Sequence, residues 1–288
     1  MTTARLLRFH LQASRPGLWF PTLWLYLLPL AGHWGEVPWT GFVVGLLWCT
    51  FPLNHMVYAW NDAVDADTDR LNPRKGSWLF GAQGTDEELA TVPQGIVAVQ
   101  AFAWPVLAWV GGLRMLVLCA LIVGILAAYN HPTRGLRGRP PGDLLSQVGY
   151  LLVVPLSAWL NGVPIPDWPV VGYLALFCAQ AQLMGEVMDI EPDRAAGRHT
   201  TATVLGARNS KWLVIGVVVG EIGLLAGPLH DPAFAGGMVG FLGWLLLDQF
   251  VLFREGRYTP GQMRLFGVTG NVCAVASMAW VWWQGGFG

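Results

Sequence analysis

The chain has 288 residues, 54% of them hydrophobic and only 12% charged, with a formal net charge of −1. Soluble domains carry about 25% charged residues, so an ordinary water-soluble globule is excluded, and without a basic excess no nucleic-acid partner is expected. The 16 Trp and 36 Gly fit interfacial aromatics and close helix packing in a bilayer.

A bilayer span needs about 20 mostly apolar residues, with about 17 as the lower limit. Arg5, Arg8 and Arg15 precede an apolar run, 18–30, that has the form of a signal peptide. No convincing small-x-small cleavage site follows, and many more spans do, so the run is read as the first transmembrane helix. Nine spans are predicted in all: 16–32, 39–60, 92–110, 113–129, 144–160, 168–188, 211–229, 233–252 and 265–283. Gly, Pro and polar residues inside several of them predict a packed bundle around a central cavity. The expected fold is therefore all-α, one polytopic membrane domain over 1–288. Cys49, Cys119, Cys178 and Cys273 lie far apart without metal spacing and read as small core residues rather than a disulfide.

Basic residues set the expected orientation. Arg5, Arg8, Arg15, Arg70, Arg74, Lys75, Arg134, Arg137, Arg139, Arg194, Arg198, Arg208, Lys211, Arg254, Arg257 and Arg264 fall on one side, and only Arg114 on the other. The positive-inside rule then puts the N-terminus in the cytoplasm, the C-terminus opposite after nine crossings, and the cavity mouth on the cytoplasmic side. The long loops share that side, and rigid scaffolds usually carry their chemistry on such loops.

The second span ends in Asn61-Asp62-Ala63-Val64-Asp65-Ala66-Asp67-Thr68-Asp69. In a continuing helix Asn61, Asp65 and Asp69 share one face, with Asp62 beside it. His55 and Asn54, earlier in the span, read either as cavity-lining or as hydrogen-bonded core residues. Arg74 and Lys75 follow the motif, and the glycine-rich stretch 76–85 is a candidate lid. After the fourth span comes Tyr129-Asn130-His131-Pro132-Thr133-Arg134-Gly135-Leu136-Arg137-Gly138-Arg139. Its guanidinium groups suit bidentate, charge-assisted bonds to phosphate or carboxylate oxygens, or serve topology alone. The sixth span ends in Glu186-Val187-Met188-Asp189-Ile190-Glu191-Pro192-Asp193, with Glu186, Asp189 and Asp193 on one face and Arg198 just beyond.

Solvated helix ends are the plain alternative for such acidic runs. Yet each Asp at a bilayer centre costs about 2.5–3.5 kcal/mol on insertion scales, and clustered carboxylates protonate unless a cation neutralises them. Hard oxygen donors beside water suit Mg²⁺, which takes one or two protein carboxylates together with waters and phosphate oxygens.

With these residues in place, the chain resembles the UbiA superfamily of intramembrane prenyltransferases. That family's first signature is NDxxDxxxD, matched by Asn61, Asp62, Asp65 and Asp69. Its second is an acidic DxxxD-type motif, matched by Asp189 and Asp193, with Glu186 where many relatives carry Asp. The resemblance implies Mg²⁺-dependent transfer of a prenyl group from an isoprenyl diphosphate to a lipophilic acceptor, through an allylic carbocation with loss of pyrophosphate. It implies catalytic roles for Asp62, Asp65, Asp69, Asp189 and Asp193. Two Mg²⁺ ions are expected on Asp65, Asp69, Asp189 and Asp193, with Asn61, Asp62 and Glu186 as further candidate ligands. The diphosphate is expected on Asn61, Lys75, Tyr129, Arg134, Arg137 and Arg198, with Arg74 and Arg139 as additional candidates. Membrane lipid is the one other partner implied, and no protein partner follows. The basic stretch after the first motif departs from many relatives and resembles carotenoid-elongating members. Quinone precursors, chlorins, carotenoids and lipid alcohols all stay open as acceptors. Two other readings stand beside this one: a terpene cyclase of the same superfamily, and a cation transporter.

Overall fold

A chain this apolar can satisfy its backbone in lipid only inside helices. The computed structural model describes residues 2–252 and 258–287, and among these it contains no strand. In chain order the helices are α1 (Thr3–Ala13), α2 (Phe20–Leu30), α3 (Trp39–Val64), α4 (Ala66–Leu71), α5 (Asp86–Gly111), α6 (Arg114–Tyr129), α7 (Gly142–Asn161), α8 (Trp168–Met188), α9 (Ile190–Ala195), α10 (Thr201–Ala226), α11 (Pro232–Leu252) and α12 (Pro260–Gln284). Seven of the described helices (α3, α5, α7, α8, α10, α11 and α12) are long and apolar enough to cross a membrane. α2 and α6 are apolar but shorter. Arg254 and Arg257, counted above for topology, lie outside the described residues.

Several predicted boundaries shift for local reasons. The span expected over 16–32 becomes helical only at Phe20, because Arg15 takes a left-handed backbone (φ 53°) and Pro16 starts a separate 3-10 turn. The span expected over 211–229 begins at Thr201 instead and bends at Gly206 (φ 78°, ψ 162°). Lys211, expected at the membrane edge, is buried: its Nζ sits 2.8 Å from Asp248 Oδ2 and 4.9 Å from the centre of the Tyr258 ring.

α3 is not a regular helix. Pro52 lacks the amide proton that a helix interior needs, and Thr50 departs from helical geometry (φ −85°, ψ −116°). Side chains bond the carbonyls of this irregular stretch. Asn54 Nδ2 donates to the carbonyls of Cys49 and Thr50 at 2.8 Å each, and Gln100 Nε2 donates to that of Pro52 at 2.7 Å. A π-turn over His55–Ala59 follows and leads into the first acidic motif. His55 is buried and its Nε2 lies 2.9 Å from His10 Nδ1 on α1. Both His55 and Asn54 are thus hydrogen-bonded core residues.

α7 is the hub, touching α2, α3, α5, α6 and α8; α8 packs on α10, α10 on α11, and α12 closes back onto α2. Close approach there depends on small residues. A Cβ at Gly45 would lie 2.4 Å from the Tyr26 ring, and that tyrosine is buried with its hydroxyl 3.0 Å from the carbonyls of Gly41 and Phe42. Gly45→Ala is expected to cost about 1–3 kcal/mol by overpacking, read as a lower denaturation midpoint in detergent.

Candidate active site

Each acidic motif interrupts its helix at the central aspartate. α3 gives way to α4 at Asp65 (φ −101°, ψ 10°), and α8 gives way to α9 at Asp189 (φ −101°, ψ 6°). The continuous helices expected through both motifs are therefore two matching bends. Hydrogen bonding at a spacing of four survives them: Asp69 N donates to the Asp65 carbonyl and Asp193 N to the Asp189 carbonyl, both at 2.9 Å. Each motif's acids consequently still gather, and α4 packs against α9. The two motifs meet at one end of the bundle.

Five acids and five bases interleave between them. Asp62 Oδ1 lies 2.6 Å from both Arg15 Nη2 and Lys75 Nζ, and Lys75 reaches Asp69 Oδ2 at 2.7 Å. Asp65 is held by Arg137 and Arg198, and it accepts from Asn61 Nδ2 at 3.0 Å. Arg198 also stands 3.7 Å from Asp193. From the first motif's trailing loop, Arg74 pairs with Asp189, and Asn72 Nδ2 donates to Asp189 Oδ1 at 3.0 Å. The network is deep, with the side chains of Lys75 and Asp62 each only 3% exposed. Burial pushes the Asp69 carboxyl up to about 6, against the pull of Lys75. Burial and then the Asp189 carboxylate push the Asp193 carboxyl up to about 7.

The sequence candidates separate into groups. Asn61, Asp62, Asp65, Asp69, Asp189, Asp193, Arg74, Lys75, Arg137 and Arg198 come together. Arg134 is exposed and lies outside the network, and Arg139 Nη2 donates to the Thr133 carbonyl. Tyr129 stands behind it, its hydroxyl 3.3 Å from Gln182 Nε2. Glu186 faces away, accepting from Gln182 Nε2 at 3.0 Å and Ala202 N at 3.3 Å. Asp67 is out in solvent beside Arg70. Residues 76–85 close over the site. Ser77 and Gly81 bridge, Phe80 is buried under the Arg74 guanidinium, and a Cβ at Gly81 (φ 97°) would come within 2.9 Å of Arg15 Nε and Asp62 Oδ2.

Sequence reasoning missed three residues. Arg15 was read only for topology, although the left-handed turn before Pro16 swings it onto Asp62 and over the Tyr58 ring at 4.6 Å. Asn72 and Asn130 carried no charge signal, yet Asn72 bonds Asp189 and Asn130 Oδ1 accepts from Asn61 Nδ2 at 3.2 Å.

Among the described residues no three acids converge tightly enough to hold a metal unaided. The unused atoms fit a metal that arrives with its own oxygen ligands. Asp62 Oδ2 is a buried acceptor without a hydrogen bond, while Arg15 Nε, Arg74 Nε and Asn130 Nδ2 are buried donors without one. Such orphans are rare unless something binds. A hard cation would satisfy the first, and phosphate oxygens the others. Next to this end lies a cavity of about 120 Å³. It is lined by the polar residues Arg15, Asn61, Tyr129 and Gln182 together with Leu53, Val57, Ile122, Ile125, Leu126 and Val153.

Residues 18–269 match the model of the UbiA prenyltransferase family. The chain belongs to that family. This UbiA-family enzyme is a prenyltransferase. It is 27% identical over 279 residues to a lycopene elongase/hydratase of Corynebacterium glutamicum, covering 95% of this chain and 90% of that one. A lycopene elongase/hydratase of Halobacterium salinarum is 32% identical over 65% of this chain and 69% of its own. The fold is that of a UbiA homolog from Archaeoglobus fulgidus solved with DMAPP and Mg²⁺, at 17% identity and a TM-score of 0.69, over 94% of this chain and 96% of that one.

Proposed function

We propose that the enzyme binds an isoprenyl diphosphate with two Mg²⁺ ions between its acidic motifs and transfers the prenyl group to an apolar polyene of the carotenoid class. The carrying observation is the interleaved network with its unused Asp62 Oδ2 and arginine Nε atoms, joined through Arg15 and Asn61 to a largely apolar cavity. The relatives' activity on lycopene supports the acceptor class. The two shorter helices α2 and α6 complete nine crossings in this reading, with the N-terminus and the site cytoplasmic and the C-terminus opposite, supported by 16 of 17 basic residues on one side.

Asp62, Asp65, Asp69, Asp189 and Asp193 would hold the metal, which supplies electrophilic charge to the departing pyrophosphate. Arg15, Arg74, Lys75, Arg137 and Arg198 would exchange carboxylate partners for phosphate oxygens and hold the donor diphosphate. The cavity would exclude water from the allylic cation, and Tyr129 and Tyr150 on its wall are the aromatic residues available to stabilise it.

The test uses purified enzyme in lipid nanodiscs with dimethylallyl or geranyl diphosphate and MgCl₂, with and without lycopene. Pyrophosphate release matched by an extended polyene is expected. Release accompanied by a cyclised hydrocarbon and no need of acceptor would make the protein a cyclase, and ion flux without release a transporter.

Metal uptake must also displace protons from Asp69 and Asp193. Their raised values favour the metal-free fold fully below 3.8, and that contribution is lost as pH rises through about 6 and about 7. Mg²⁺ affinity runs the opposite way. Calorimetric titration with MgCl₂ is expected to show it climbing to about pH 7 and levelling above.

A further inference from the structure

The two arginines that converge on Asp65 arrive on separate loops. Arg137 comes from the connection between α6 and α7, and Arg198 from the connection between α9 and α10. Just beyond Arg137, in the first turn of α7, stands Asp143, fully buried. Just beyond Arg198 stands Thr201, first residue of α10. Asp143 Oδ2 accepts from Thr201 N at 2.5 Å; its Oδ1 accepts from Thr201 Oγ1 at 2.7 Å and from Leu144 N at 2.9 Å. A buried carboxylate with no cation on it is normally costly. Here three donors and the N-terminus of α10 stabilise its charge. Glu186 adds a second acceptor to the same helix start, at Ala202 N.

We infer that Asp143 is a positioning residue: by clamping Thr201 it locks the Arg137 and Arg198 loops together so that both guanidinium groups meet the donor diphosphate. The inference rests on the prenyl-transfer reading for its consequence, but the latch itself is a property of the resting protein. Asp143→Asn keeps the shape while removing the charge, and turns an amide N–H towards one of the Thr201 donors. Thr201→Val removes one of the three bonds, and Thr201→Ser retains it.

Hydrogen–deuterium exchange on the ligand-free protein reads the latch directly. In Asp143→Asn, segments 134–141 and 196–203 are expected to lose protection together. Steady-state kinetics then reads its role. KM for dimethylallyl diphosphate is expected to rise about 10- to 100-fold, as losing charge-assisted bonds implies, with kcat much less affected and Thr201→Ser close to the unsubstituted protein. Adding Asp143→Asn to the Arg137→Gln, Arg198→Gln pair should raise KM little further, because the clamp then has nothing to aim. Unchanged exchange in both segments overturns the latch. Released loops with an unchanged KM, or effects that simply add to those of the arginine substitutions, overturn its positioning role. Absence of pyrophosphate release by the unsubstituted protein instead defeats the prenyl-transfer reading, and the exchange result still decides the latch.

Discussion

Asp65→Ala is expected to reduce pyrophosphate release by about 10³-fold or more, with Asp189→Ala close behind. Asp65 is the point where two guanidinium groups and the Asn61 amide converge on one carboxylate that is 5% exposed. Its removal leaves Arg137 without its carboxylate and Arg198 with only Asp193, 3.7 Å away. Breaking a buried pair from one side costs about 3–5 kcal/mol, and a proposed metal ligand disappears with it. Asp189 plays the matching part for Arg74 and Asn72. Asp65→Asn, which retains the shape and can still bond Asn61, separates chemistry from folding. It should still elute as folded protein in detergent, melting lower because the buried guanidinium groups lose a counter-charge, yet release almost no pyrophosphate. Full activity in both alanine variants would remove the acidic motifs from the mechanism.

Lys75→Met is expected to lower kcat/KM by about 10²–10³-fold, since truncating one partner of a buried charge cluster costs about 2–5 kcal/mol. The single ammonium of Lys75 separates Asp62 from Asp69, 2.6 and 2.7 Å away. Methionine fills the same volume but leaves the two carboxylates to repel each other in a buried site. Arginine should not restore activity, because its planar fork cannot replace a point charge wedged between two acids at 3% exposure. A coupled pyrophosphate assay across Mg²⁺ concentrations reads both. If Lys75→Met keeps the unsubstituted kcat/KM, the lysine belongs to the fold alone.

Much of this site was legible from residue spacing. The step of four that joins Asn61, Asp65 and Asp69, and Asp189 to Asp193, survives the bends because the local hydrogen bonds keep that spacing. The same spacing cannot distinguish a straight helix from a bent one, so the breaks at Asp65 and Asp189 were invisible. Arg15 and Asn72 were illegible for a different reason: their roles depend on a left-handed turn and a loop that only tertiary packing fixes. Hydropathy misjudged the start of α10 because Arg208 and Lys211 look like an aqueous boundary. Lys211 is in fact neutralised by Asp248 and covered by Tyr258, so the helix runs past it to Thr201. Asp143 gave no signal at all, because a single carboxylate beside a proline turn resembles any solvated loop.

The mutual pairing of the five acids and five bases also decides what may enter. A bare anion arriving from solution would have to compete with a carboxylate for each guanidinium of the network, because each is already paired with one. Cargo that brings its own positive charge can trade places with both kinds of side chain at once. On the proposed reading the site would screen visitors by net charge as well as by shape, and metal-free bisphosphonates should make poor inhibitors where their metal complexes succeed.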